Sequence, residues 1–250
     1  MAMFTDKKVK AIVSLRGGYG CYRILERLDY AVIRRHPKIF SGYSDITALH
    51  SVLAAKCGMI SFHAPMWNGA LADPKVPAFT KNSFLRTVME AKAPGSISAD
   101  YTGKTPSVLR GGNAEGRLIG GNLSLLCASL GTPFAPSFKG KILFFEDISE
   151  RPGRLDRLLT QLWHAGVFSQ IAGVAVGVNQ DCDDPGKKKP KEFQPTGADV
   201  VRERLAALRV PVVIGLPFGH MDLNATVPVN AMARLDGRRG DLIITEAAVK

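Results

Sequence analysis

The sequence predicts an α/β protein with parallel strands, divided into two parts. Three observations lead there. Short apolar runs rich in β-branched residues alternate with segments of helical period, the pattern of βαβ units. A Gly-, Pro- and Ser-rich stretch at 91–116 interrupts the alternation. The alternation then resumes and closes on a hairpin pattern. A length of 250 residues accommodates one large domain or two small ones.

In order, VKAIVSL (9–15) reads as a buried strand, broken by RGGYG (16–20). CYRILERLDYAVIRR (21–35) has apolar residues at helical spacing, and HPKIFSGYSD gives a second strand and a turn. ITALHSVLAAKCG (46–58) is helical and closed by Gly58; MISFHAPM (59–66) is a strand; TKNSFLRTVMEAK (80–92) is a helix. The stretch 91–116 holds a short strand near Ser107–Arg110. Beyond it, Asn122 caps the helix LSLLCASL, which Gly131 closes. KILFFED (141–147) and IAGVAVGV (171–178) are strands around an amphipathic helix (154–168), which lines up Leu155, Leu158, Leu159, Leu162 and Trp163. A polar, Lys- and Pro-rich loop (179–196), a helix (197–208), the strand VPVVIGL (210–216) and a hairpin (232–246) complete the chain.

Composition narrows the function. Apolar residues make up 46% and charged residues 22%, the balance of a soluble globular protein with a sizeable core. The N-terminus lacks a long apolar segment, and the longest apolar runs, such as VPVVIGLPF (210–218), are too short to span a bilayer. The expected location is therefore the cytoplasm. The four cysteines are scattered with no C-x-x-C pair, which argues against zinc and against a disulfide framework. The net charge of +11 fits nucleic acid or an anionic small substrate. The basic clusters RRHPK (34–38) and KKKPK (187–191) lack interleaved aromatics, so nucleic acid is the weaker reading.

The candidate chemistry starts at FSGYSD (40–45). Ser44 lies between a strand and a helix, which suits a nucleophile on a sharp turn or a plain helix cap. A serine nucleophile needs a base and an orienting acid. Of His36, His50, His63, His164 and His220, the last lies just past an apolar strand, at the carboxyl edge where α/β sheets gather reactive groups. Glu146 ends the strand ILFFE and needs a partner or solvent; Asp147 and Glu150 compete for its role. RGGYG is a weak nucleotide signal, since it is neither G-x-G-x-x-G nor followed by Lys-Ser/Thr; its other use is a tight turn that brings a backbone N–H near the site.

Taken together, RGGYG, GYSDIT, IGGNLSLL, LFFEDISE and LPFGH followed by N-x-T-x-P resemble, in order and spacing, the LD-carboxypeptidases, a family of serine peptidases. The resemblance runs nearly the whole chain. It implies a Rossmann-like parallel-sheet N-terminal domain (1–94), a linker (95–115) and a smaller β-rich α/β C-terminal domain (116–250). It implies a Ser44–His220–Glu146 triad, with backbone N–H groups of Gly18 and Asp45 as oxyanion donors. The implied reaction removes a terminal D-alanine from cytoplasmic murein tetrapeptides without metal or other cofactor. The implied assembly is a homodimer, with neither nucleic acid nor membrane as partner. Arg16 and Arg110 are candidates for gripping the terminal carboxylate.

The chain departs from the family pattern in two ways. The family carries an opening strand and helix ahead of the segment matching VKAIVSL, so the N-terminal domain is expected to be truncated at its start, with backbone groups to be paired by other means. Met221 and Asn230 stand where the family commonly has Gly. Two rival readings remain. A microcin-immunity type of hydrolase acting on a peptidyl-nucleotide needs an aromatic to stack on a base, for which Trp67 and Tyr19 are nearest. A catalytically degenerate relative would bind anions only.

Overall fold

The computed structural model describes residues 1–183 and 195–250. Most of the polar loop predicted at 179–196, and the cluster at 187–191, lie outside the described residues. The first part opens with a helical turn, α1 (Ala2–Thr5), and β1 (Ala11–Val13). A 3₁₀ segment (Cys21–Arg27), α2 (Tyr30–Arg35) and β2 (Ile39–Gly42) follow. The chain then turns through Ser44–Ile46 into α3 (Thr47–Val52), which runs on as a wider turn to Cys57. β3 (Ser61–His63) and α4 (Ala78–Met89) complete this part.

The second part holds β4 (Gly95–Ser96), β5 (Ser107–Arg110), β6 (Asn113–Asn122), α5 (Leu123–Ser129), β7 (Ile142–Glu146), α6 (Pro152–His164) and β8 (Gly173–Val178). It ends with α7 (Gly197–Ala206), β9 (Val212–Gly219), β10 (Val227–Val229), β11 (Met232–Asp236) and β12 (Asp241–Ile244). The α/β class and the parallel strands are as the sequence predicts.

Two sheets form. The first has the order β1-β2-β3-β10, with β1, β2 and β3 parallel and β10 antiparallel to β3. The second has eight strands, β4-β12-β11-β6-β7-β8-β9-β5. Its centre, β6-β7-β8-β9, is parallel, and its flanks are antiparallel. β4 and β5, both from the Gly/Pro-rich stretch, form the two edges of this sheet. The late strand β10 crosses back into the first sheet, so the two sheets are joined by chain as well as by packing.

Local chemistry explains the elements and two departures from expectation. The helix expected over 21–35 is two pieces, because the Asp29 side chain accepts from the Val32 N–H at 2.9 Å and starts α2 afresh after extended Leu28. Asn122 caps α5 as predicted, accepting from the Leu125 N–H at 3.2 Å. Thr196 and Asp199 form a reciprocal cap at the start of α7. On α6, Leu155, Leu158, Leu159 and Leu162 are buried, whereas Trp163 stays 37% exposed against Phe168. Position 163 lies about 100° around the helix from Leu162, at the margin of the stripe. All four cysteines are free thiols, with Cys127 and Cys182 buried.

Aromatic packing joins the cores of the two sheets. Phe144 of β7 and Phe218 of β9 meet edge to face at 5.7 Å, and His63 of β3 packs on both, at 5.6 and 6.2 Å. A second fully buried histidine, His50, sits inside the first sheet. Its Nε2 lies 2.8 Å from the Gly42 carbonyl, which can only accept, so Nε2 carries the hydrogen. Its Nδ1 then accepts from the Ser61 hydroxyl at 2.8 Å.

Two outcomes follow for stability. A Cβ at Gly121 (φ +137°) would lie 2.4 Å from Thr47 Oγ1, so Gly121→Ala should lower the urea-unfolding free energy by about 3 kcal/mol through overpacking and backbone strain. Burial pushes the His50 imidazole down to about 4 from an ordinary 6.5. The unfolded chain takes up a proton below 6.5 that the folded chain refuses, so stability is whole above that pH and falls as pH drops towards 4. The expected loss is roughly 3 kcal/mol. Urea midpoints across this range should show a shallower pH dependence in His50→Gln; an unchanged slope would refute the assignment.

Candidate active site

The site begins where β2 ends. Tyr43 is extended and Ser44 follows at φ +63°, a left-handed conformation that costs a non-glycine residue about 1–2 kcal/mol. The chain then enters the 3₁₀ turn and α3, so Ser44 stands on a sharp strand-to-helix turn. Its hydroxyl makes no capping bond; Tyr43 occupies the cap position. The plain-cap alternative for Ser44 is thereby excluded.

The RGGYG loop lies against this turn. A Cβ built on Gly17 would sit 2.9 Å from Ser44 Cβ, so only glycine allows the approach. The Asp45 carboxylate accepts from the Cys21 N–H at 2.9 Å and ties the end of the loop to the turn. Among the described residues, the N–H groups of Gly18 and Asp45 donate to no backbone acceptor. Cys21 is no rival nucleophile: burial and the Asp45 carboxylate push its thiol up to about 12.

Glu146 and His220 come together from the parallel strands β7 and β9. His220 Nδ1 lies 2.6 Å from Glu146 Oε2, and Glu146 is fully buried. With Nδ1 committed to the carboxylate, Nε2 is the ring atom left to act. Burial pushes the Glu146 carboxyl up from its ordinary value, and the hydrogen bond and charge of His220 oppose that rise. The approach requires Gly219 (φ +127°): a Cβ there would lie 2.9 Å from the Val178 carbonyl and 3.1 Å from Glu146 Cβ. The Asn224 side chain accepts from the Gly219 N–H at 3.1 Å and fixes the strand end.

Residues that sequence reasoning left out bring the two halves into register. Tyr43 stacks edge-on against His220 at 4.7 Å and against His63 at 5.8 Å, linking the Ser44 turn to the His220 strand end. Thr47, the last residue of GYSDIT, accepts from the Asn122 N–H at 2.9 Å and joins α3 to β6. Asn122 pairs in register with Glu146. The His63 ring is fully buried with neither nitrogen bonded. Burial, with His50 and His220 nearby, holds it well below the usual imidazole range, so it stays neutral.

The competitors have other work. Asp147 accepts from Asn122 Nδ2 (2.7 Å), from the N–H and hydroxyl of Ser124 (3.0 and 2.8 Å) and from the Ile148 N–H (2.9 Å). Glu150 pairs with Arg154 at 3.7 Å and lies 3.1 Å from the same Ser124 hydroxyl, whose one hydrogen it shares with Asp147. Asn230 takes φ +70°, the backbone that a glycine favours, while Met221 does not and lines the cavity instead.

That cavity, about 490 Å³, is bounded by Tyr43, Pro65, Lys75, Thr80, His220 and Asp222 among others. Arg16 and Arg110 are not among its lining residues; Arg110 sits on edge strand β5 with its guanidinium 3.5 Å from the Ala206 carbonyl. Trp67 lines a neighbouring groove, and Tyr19 is 91% exposed. Among the described residues no cluster of three or more His, Cys, Asp or Glu is arranged to hold a metal, and no helix is long and apolar enough to cross a membrane.

The chain is similar to known proteins along nearly its whole length. Residues 1–64 match the LD-carboxypeptidase N-terminal domain and residues 115–235 the LD-carboxypeptidase C-terminal domain. A probable murein peptide carboxypeptidase of Bacillus subtilis is 36% identical over 247 residues, spanning 99% of this chain and 75% of that protein. The structure of a muramoyltetrapeptide carboxypeptidase from Oxalobacter formigenes superposes with a TM-score of 0.81 at 32% identity, covering 98% of this chain and 82% of that one. The microcin C7 self-immunity protein MccF of Escherichia coli is 29% identical over 267 residues, covering 95% of this chain and 74% of that protein. A structure of MccF superposes with a TM-score of 0.84 at 26% identity, covering 100% of this chain and 79% of that one. Matched by both domain models and by a relative along nearly its full length, the chain belongs to the LD-carboxypeptidase family.

Proposed function

We propose that the protein is a serine-type LD-carboxypeptidase that releases the terminal D-alanine of murein tetrapeptides in the cytoplasm. The observation that carries the reading is the 2.6 Å Glu146–His220 hydrogen bond, together with a serine held at φ +63° next to Tyr43, whose ring lies 4.7 Å from His220. A buried carboxylate on Nδ1 fixes the tautomer that leaves Nε2 basic, which is what activation of a hydroxyl needs. His220 takes the Ser44 proton as Oγ attacks the carbonyl. The buried charge of Glu146 stabilises the imidazolium that forms. The N–H groups of Gly18 and Asp45, next to the start of the Ser44–Ile46 turn, receive the oxyanion. His220 then returns the proton to the departing amine, and water repeats the sequence on the acyl-enzyme. The excess of basic residues suits a substrate bearing several carboxylates.

A hydrolase of a peptidyl-nucleotide is the second reading, supported by the likeness to MccF. Against it stands the cavity wall. Apart from His220 itself, Tyr43 is the sole aromatic among the described lining residues, and its ring is already engaged by His220 and His63. Trp67 lies in the adjoining groove. Among the described lining residues, the Tyr43 ring is the one on which a base could stack.

With purified protein and a murein tetrapeptide, Ser44→Ala should lower D-alanine release by about 10⁴-fold or more. Glu146→Gln should lower kcat by about 10³–10⁴-fold, because the amide no longer enforces the Nδ1–H tautomer. Both should keep the wild-type circular dichroism spectrum. Activity near wild type in either folded variant would remove the residue from the mechanism.

A further inference from the structure

We propose that Lys75 binds the free terminal carboxylate of the substrate and so makes the enzyme an exopeptidase; this rests on the function proposed above. A terminal carboxylate entering the His220 cavity meets Asp73 and Asp222, which repel it. Lys75 is the one lysine or arginine among the described lining residues. Its ammonium forms no ion pair with any described residue, so its charge is available to a ligand.

The local structure presents Lys75 rather than leaving it on a loose tether. The Asp73 carboxylate accepts the Lys75 backbone N–H at 2.8 Å, and the Asp73 carbonyl accepts from the Val76 N–H at 3.0 Å. Asp73 thereby builds the turn that carries Lys75. Pro74 and Pro77 restrict the backbone on either side. The wall is then pinned to the segment after His220: the Thr80 hydroxyl donates to the Asp222 carbonyl and accepts from the Asn224 N–H at 2.9 Å. Asn224 in turn holds Gly219, the residue before His220. Lys75 and His220 thus belong to one braced frame.

The chemistry requires that relation. The leaving group is a single amino acid whose nitrogen receives the proton from His220. Its carboxylate is attached to the next carbon, so its binding group must share the cavity with the base. Among the described basic residues, Lys75 meets that condition, whereas Arg16 and Arg110 do not line the cavity.

The test uses binding, so that it does not depend on turnover. Calorimetry on the folded Ser44→Ala protein compares a murein tetrapeptide ending in D-alanine with the same peptide carrying a C-terminal amide. The acid should bind about 10-fold or more tighter. Adding Lys75→Met should erase that preference and leave amide affinity unchanged, while Lys75→Arg should retain it. Preference surviving in Lys75→Met, or no preference or no binding in the Ser44→Ala protein, would overturn the proposal. D-alanine release by the wild type is measured alongside. Its absence, with the Lys75-dependent preference intact, would count against the hydrolytic reading and leave the carboxylate role standing.

Discussion

The hydrogen bond between Glu146 and His220 is the constraint on which the site depends. A carboxylate with no solvent contact is costly unless a donor meets it, and here one imidazole N–H does so at 2.6 Å. Much of the second sheet serves that contact. β7 and β9 run parallel with β8 between them, so both carboxyl ends finish at the same edge. Gly219 removes the side chain that would hold the strand ends apart. The Asp147 network beside it absorbs four donors and leaves Glu146 for His220.

Ser44 belongs to the other sheet, so its position relative to His220 is a matter of inter-sheet packing. Three contacts set it: the Tyr43 ring on His220, His63 between Phe144 and Phe218, and Thr47 on the Asn122 backbone. β10 adds a covalent tie, since it pairs with β3 only a few residues after His220. The interior of the first sheet is unusually polar, with His50, His63, Ser41, Ser51 and Ser61 all buried. Histidines kept neutral by burial make this junction sensitive to acid, so the alignment of Ser44 with His220 is coupled to pH through the scaffold.

The strands and most helices were legible because their signals are local. Gly58 closes the α3 region in the left-handed conformation, Asn122 caps α5, and apolar runs mark β7, β8 and β9. Helix capping inside an apparently continuous period was harder: Asp29 splits 21–35 because its carboxylate competes with the helix backbone. The Glu146–His220 pairing shows only in the order of five short motifs, since residues 74 positions apart leave no local trace of their contact. Tyr43, Thr47 and Gly219 lie inside those motifs, but their roles arise from packing between sheets. Lys75 lies in none of them, and only the fold brings it to the cavity.

The central claim is that Ser44 is the nucleophile. The most direct measurement is mass spectrometry of the intact and digested protein after exposure to a fluorophosphonate serine-hydrolase probe. The account predicts one adduct per chain, on the peptide containing Ser44, abolished in Ser44→Ala and strongly slowed in His220→Ala. A folded protein that takes up no probe, or carries it on another residue while Ser44 stays unmodified, would contradict it.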